Sequence, residues 1–397
     1  METAYDVLVV GAGPAGSVAA ARFAARGFKT LLIEKRQEIG VPVRCGEAVG
    51  RHTTEQFLPI DDRWVRAYIS HYAIVSVYGD RVVLPPTEPT LIIDRKVFDW
   101  EVAHLAANAG AHIRTRTQAE GLLFEGDQVV GARLRSGERT YEVRARLVIA
   151  ADGTESQVAR WAGLKTVPPM GDYYVGFQYL LGNLRGRLTA HQCEYHLGNA
   201  IAPAGYIWVF PKGEDAANVG IVIGADRARE VSARAYLDRF IAQHFPEGVD
   251  LGTVAGGIPT TGAIKRMVTH GLMAVGDAAH QADPLTAGGI GLGMIGAEIA
   301  ATVGVKALQT GDLSAKALSE YERLWEARFG RMHKALYQLR KMTIRMDDDR
   351  LAALIKTAAS LPLAEMSLGQ VLMTLFKHHP LMLIEAQALI ATGLVLK

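Results

Sequence analysis

The most constraining feature of this 397-residue sequence is Gly11-Ala12-Gly13-Pro14-Ala15-Gly16, which follows the apolar strand Tyr5–Val10 and opens a helical pattern over Ser17–Arg26. Glycines at the first, third and sixth positions allow a tight strand-to-helix turn and let a pyrophosphate approach the positive end of the helix. A second strand, Thr30–Glu34, ends on an acid placed to accept hydrogen bonds from a ribose diol. Gly11, Gly13, Gly16 and Glu34 thus predict a dinucleotide held by a parallel βαβ unit. Lys35, next to the acid, joins the candidate cofactor set.

Gly291-Leu292-Gly293-Met294-Ile295-Gly296 satisfies the same spacing but follows the irregular stretch 283–289 instead of a strand. It reads better as a helix N-terminus packed against something flat, where the positive dipole end stabilises an anionic ring. Reduced flavin carries such a charge. One complete fingerprint and one decoy favour a tightly held FAD over a separate NAD(P) domain.

At this length the chain exceeds the usual single core. A helical pattern over Asp99–Asn108, a strand at His112–Arg116, a hairpin at Glu125–Gln128 and the strand Leu147–Ala150 continue the nucleotide half. Tyr173–Leu181, Tyr206–Phe210 and Val219–Ile223 read as strands of an inserted sheet. Leu272–Val275, the Gly276-Asp277 turn and a helix from about Gly291 return to alternating texture, and from Ser314 the spacing is helical. The expectation is an α/β protein: a Rossmann-like FAD-binding domain (1–70 with 90–170 and 265–312), an inserted antiparallel β-sheet substrate domain (71–89 with 171–264) and a helical C-terminal region (313–397).

On an extended strand Tyr206, Trp208 and Phe210 share one face and Ile207 and Val209 the other. The aromatic face suits a long apolar ligand; the competing reading is that it fills a core.

Composition narrows the partners. The formal charge of +2, from 43 basic and 41 acidic residues, gives no reason to expect nucleic acid. Two cysteines, Cys45 and Cys193, are too few for a disulfide scaffold and are not spaced as a zinc site, so no metal is expected. With no export signal before Tyr5, the expected location is the cytoplasm. The best apolar run, Pro380–Leu396, is broken by Glu385 and Gln387. With Val371–Phe376 and Leu381–Ile384 it reads either as buried helices or as a peripheral membrane contact.

Further motifs carry a family resemblance. Asp152-Gly153-Thr154-Glu155-Ser156-Gln157-Val158-Ala159-Arg160 and Gly276-Asp277-Ala278-Ala279-His280 resemble the second and third FAD motifs of the flavin hydroxylase-like superfamily, in which the latter aspartate binds ribityl or ribose hydroxyls. Pro203-Ala204-Gly205-Tyr206-Ile207-Trp208-Val209-Phe210-Pro211 and Arg44-Cys45-Gly46-Glu47 resemble signatures of the geranylgeranyl reductases, most closely the archaeal type. That resemblance implies FAD contacts at Ala15, Glu34, Cys45, Gly46, Ala48, Arg95, Ala119, Asp277, Gly289 and Ile290, with Arg44, Asp152, Gly153, Gly276 and Gly288 beside them. It implies a substrate wall at Tyr206, Trp208, Phe210 and Pro211. The implied activity is saturation of double bonds in isoprenoid lipid chains, above all of membrane ether phospholipids, with NADPH, ferredoxin or reduced quinone as electron donor. Cys45 is then the proton donor or a positioning residue.

Alternatives remain at this stage. A hydroxylase shares the fold; a halogenase would carry Trp-x-Trp-x-Ile-Pro where this chain has Tyr206-x-Trp208-x-Phe210-Pro211. A quinone or chlorophyll tail would suit the same chemistry, and a cofactor-free lipid carrier would have discarded the glycine motifs. His280 reads equally as a loop hydrogen-bonder or a catalyst, and Lys265 and Arg266 as solvated charges.

Overall fold

The computed structural model describes residues 3–86, 88–366 and 368–379; the run Pro380–Leu396 and the segment Leu381–Ile384 lie outside them. Ala4–Val10 sits at the centre of an eight-stranded sheet, paired in parallel with Thr30–Ile33 on one side and Arg139–Ala150 on the other. His112–Arg114 and Leu272–Ala274 extend the parallel core, while Gln128–Ser136 and Thr117–Glu125 add an antiparallel hairpin. Val7, Leu8, Val9, Leu31 and Leu32 are fully buried, as expected for parallel strands covered on both faces. The helix Pro14–Ala24 begins with proline, whose missing N–H costs nothing at a first helical position. It packs against the helices Arg95–Asn108 and Ile290–Thr310.

A seven-stranded sheet runs Val249–Pro259, Tyr173–Gly182, Ala217–Gly224, Tyr206–Pro211, Gln192–Leu197, His71–Ser76, Arg81–Leu84. Its pairings are antiparallel except for Gln192–Leu197 beside His71–Ser76, two strands far apart in sequence. Ile207 and Val209 face the helix Ala233–His244 through Leu237 and Phe240. Trp208 and Phe210 face the other way, into a cluster with Tyr174, Val222, Ile69 and Ile92. The last two come from a three-stranded sheet, Ala48–Gly50, Thr90–Ile93 and Val65–Ile69, which lies beside the aromatic face.

The strand Val249–Pro259 escaped the sequence reading: its glycines and exposed edge position leave no apolar alternation to detect. Beyond Ser314 the described chain is helical, including a π-helical turn at Glu326–Gly330. The helix Arg331–Thr343 is tied to the second sheet by Arg340. Its fully buried guanidinium donates to Asp172 Oδ1 at 3.1 Å, Gly171 O at 2.9 Å and Tyr174 Oη at 3.2 Å. Among the described residues one helix, Ile290–Thr310, is long and apolar enough to cross a membrane, and most of its apolar stretch is buried against the core.

Candidate active site

The glycine turn divides its labour among three positions. Gly11 adopts φ +106°, and a Cβ there would stand 2.3 Å from the Ala151 carbonyl oxygen; a Cβ on Gly16 would stand 1.9 Å from Gly11 O. Both are glycine because backbone crowds them. At Gly13 nothing lies within 4 Å, so that position opens onto the cavity, where a bare backbone lets a pyrophosphate come close. Glu34 is fixed beside the turn, its Oε2 accepting from Ala12 N at 3.1 Å and its Oε1 from Arg36 N at 2.9 Å. Lys35 pairs with Glu155 at 2.7 Å at the same mouth.

Two aspartates face this space without full partners. Asp152 Oδ2 accepts from Val158 N at 3.0 Å, whereas its buried Oδ1 has none. Burial raises the carboxyls of both Asp152 and Asp277. Such groups need a donor to complete them, and ribose or ribityl hydroxyls would supply it. The residues present fit an FAD.

Two connected cavities, of about 290 and 400 Å³, share Gly13, Cys45, Gly46, Trp208 and Asp277 in their linings. The first also holds Gly11, Glu34, Lys35, Ala119 and Asp152. The second holds Ala15, Gly16, Ala48, Arg95, Gly276, Gly288, Gly289 and Ile290 together with Tyr206 and Phe210. Arg44 and Gly153 line both. Pro211 lines neither: strand alternation turns it away from Phe210, and it pairs with Ala217, so a substrate contact there does not follow from the geometry.

The aromatic face has its polar handles satisfied by residues of the cavity wall. Trp208 Nε1 donates to Gln178 Oε1 at 3.0 Å, and the Tyr206 hydroxyl donates to Thr286 O. Tyr195 meets Tyr206 and Phe210 edge-on, with ring centroids 5.5 and 5.4 Å apart. Burial lifts the Tyr195 and Tyr206 hydroxyls well above their ordinary value, so both stay neutral.

Cys45 is half-buried on the cavity wall, and Glu47 N donates to its sulfur at 3.1 Å. Burial pushes the thiol up in pKa, the nearby Arg95 guanidinium opposes that, and the net effect favours the protonated form. Arg95 itself is held by Asp99 through two bonds of 2.6 and 2.7 Å. Cys193 is fully buried in the aromatic cluster, and both cysteines are free.

In the second glycine run, Gly291 and Gly296 serve packing, whereas Gly293 lines the second cavity. Added Cβ atoms at Gly291, Gly293 and Gly296 would meet Thr53, Gly276 and Gln281, all protein. At the start of the helix the cavity edge is formed by Gly288, Gly289 and Ile290, with Gly293 one turn on. His280 is buried with both ring nitrogens bonded, Nδ1 to Thr261 Oγ1 at 3.0 Å and Nε2 to Thr166 O at 2.8 Å, which makes it a loop fastener. Sequence reasoning missed three residues behind Cys45: Glu47, Lys212 and Asn218. Their signals were a motif glutamate left without a role, a lysine directly after Pro211, and one asparagine inside an apolar strand.

Comparison with known proteins bears on the same segments. Residues 6–172 match the model of the FAD dependent oxidoreductases and residues 172–258 that of the geranylgeranyl reductase catalytic domain. The first match covers the glycine turn and Asp152, and FAD is the cofactor of this chain. The chain is 40% identical over 386 residues to a digeranylgeranylglycerophospholipid reductase of Methanospirillum hungatei, covering 96% of each. It is 40% identical over 395 residues to that of Methanoculleus marisnigri, covering 98% of this chain and 99% of the relative. A solved geranylgeranyl bacteriochlorophyll reductase-like protein from Thermoplasma acidophilum superposes with a TM-score of 0.92 at 36% identity, over 98% of this chain and 100% of its own. A myxobacterial chondrochloren halogenase shares the fold alone, with a TM-score of 0.71 at 20% identity over 99% of each chain. An FAD cradle opening onto an aromatic cavity, in a chain this similar to those relatives along its whole length, places the protein in the family of the digeranylgeranylglycerophospholipid reductases.

Proposed function

We propose that this chain saturates carbon–carbon double bonds in the geranylgeranyl chains of a membrane ether phospholipid. The observation that carries this reading is the second cavity, whose Tyr206, Trp208 and Phe210 face meets the Cys45 turn and the FAD cradle in one space. An isolated alkene offers no polar handle, so recognition falls to apolar area, and a wall of rings with satisfied hydroxyl and indole groups supplies it.

Reduced FAD, when bound, supplies a hydride to one carbon of the double bond. The other carbon needs a proton. Cys45, on the wall beside Arg95, keeps one at neutral pH, because burial disfavours its thiolate. Once the proton leaves, the Arg95 cation beside the sulfur offsets the new negative charge. The rings exclude water, and Gly46, pressed against Phe210, sets the sulfur's backbone close to the strand.

An external donor, NADPH, ferredoxin or reduced quinone, then recharges the cofactor. The lipid enters from a peripherally bound membrane surface, with the helix Leu368–His378 as the contact nearest the C-terminal end of the described chain. The test is anaerobic turnover with reduced protein. Saturation without oxygen supports the reading; a requirement for oxygen turns it into a hydroxylase. Equal turnover of a quinone or chlorophyll tail would move the substrate away from phospholipid.

A further inference from the structure

Behind Cys45 lies a buried polar cluster that the chemistry above does not use. Glu47 is 3% exposed and adopts φ +71°. Its Oε1 accepts from Arg95 N at 2.7 Å, and its Oε2 accepts from Lys212 Nζ and from Asn218 Nδ2, each at 2.6 Å. The same Asn218 amide donates to Gly46 O at 3.1 Å, and Ile93 N donates to Glu47 O at 2.9 Å. The donors come from the start of the helix Arg95–Asn108, the end of the aromatic strand and the strand beside it. A Cβ on Gly46 would stand 3.0 Å from Phe210 Cε2 and 3.4 Å from Trp208 Nε1, so the turn lies flat on the aromatic rings.

A buried carboxylate with its cation and two neutral donors all bound is a rigid fastener, because any movement of the turn leaves charge uncompensated. A non-glycine residue in the left-handed region adds strain that only such surroundings sustain. We infer that Glu47 is a positioning residue acting through Cys45: its carboxylate pins the Cys45-Gly46-Glu47 turn to the base of the aromatic strand and holds the thiol facing the cavity. The charges around the thiol are Arg44 and Glu47 from its own segment, Arg95 and Asp99 from the helix, Lys212 after the aromatic strand, and Asp277 across the cavity.

The inference rests on the functional reading only where turnover is measured. Glu47→Gln and Glu47→Asp, loaded with FAD, are compared with wild type by the pH dependence of Cys45 alkylation with iodoacetamide, read by peptide mass, and by kcat and KM for chain saturation. Glu47→Gln removes the negative charge beside the thiol, so its alkylation profile moves to lower pH, and kcat falls about tenfold or more with KM within about twofold. Glu47→Asp keeps the charge but is too short to reach all three donors, so its alkylation profile stays near wild type while kcat falls. Wild-type alkylation and kcat in both variants would overturn the inference, as would a wild-type thiol that resists alkylation or a kcat loss that only tracks lost FAD. Alkylation needs no lipid: normal alkylation behaviour without any saturation by wild type would sink the functional reading and leave this one standing.

Discussion

At the scale of single residues, the site is governed by where a methyl group or a proton has no room. Gly16→Ala places a Cβ 1.9 Å from Gly11 O, so the turn must deform and the variant should purify without the flavin absorption bands. A yellow variant with wild-type flavin content would refute that cradle. Cys45→Ala should keep FAD yet lose about a hundredfold or more of chain saturation measured with pre-reduced protein, the usual scale for a lost general acid. Full turnover would remove Cys45 as proton donor. The sign with pH follows from its raised thiol: the donating form persists through neutral pH, and kcat falls only at pH above the ordinary thiol value of 9.0. The glycine turn was legible in the sequence because its spacing falls within six neighbouring positions, although what crowds Gly11 is Ala151 on another strand. The Glu47 cluster was not, because its partners sit at 95, 212 and 218 and meet only in the fold.

Among elements, one tie joins a helix to the second sheet and another joins strands within it. Arg340 joins the helix Arg331–Thr343 to Asp172 and stacks 4.8 Å over the ring of Tyr174, which in turn meets Tyr206 edge-on at 6.3 Å. Arg340→Met should cost about 3 kcal/mol, the low end for breaking a buried pair, since Lys341 still holds Asp172 at 2.8 Å; equilibrium denaturation checks it. The second tie is Glu194, bonded to Arg81 at 2.7 Å and to His196 at 3.1 Å. Burial works against its ionisation, but these partners hold it at about 2, below its ordinary 4.5. The folded-state value is depressed, so this stabilisation is present above pH 4.5 and is lost as pH falls towards 2. Glu194→Gln should therefore lower the unfolding midpoint at pH 7 and differ little from wild type near pH 2; an equal loss at both would contradict the assignment. The aromatic strand was readable from its period of two. The edge strand Val249–Pro259 was not, since glycine and exposure erase that period.

For the whole molecule, the parallel sheet supplies the cradle, the second sheet the aromatic wall, and the turn Cys45–Glu47 the join between them. The α/β architecture follows from local patterns, the glycine turn and the apolar strands; the paired cavities do not, because their walls come from segments more than two hundred residues apart. The last described helix, Leu368–His378, carries the exposed Met373, and flotation with liposomes tests membrane contact: protein that stays at the bottom of the gradient argues against it. The central claim concerns chemistry. The most direct measurement is the mass of a geranylgeranyl ether phospholipid after anaerobic incubation with the dithionite-reduced, FAD-loaded protein. A gain of two hydrogens per double bond is the predicted result; unchanged lipid without oxygen, and a gain of one oxygen atom when air is admitted, would contradict it.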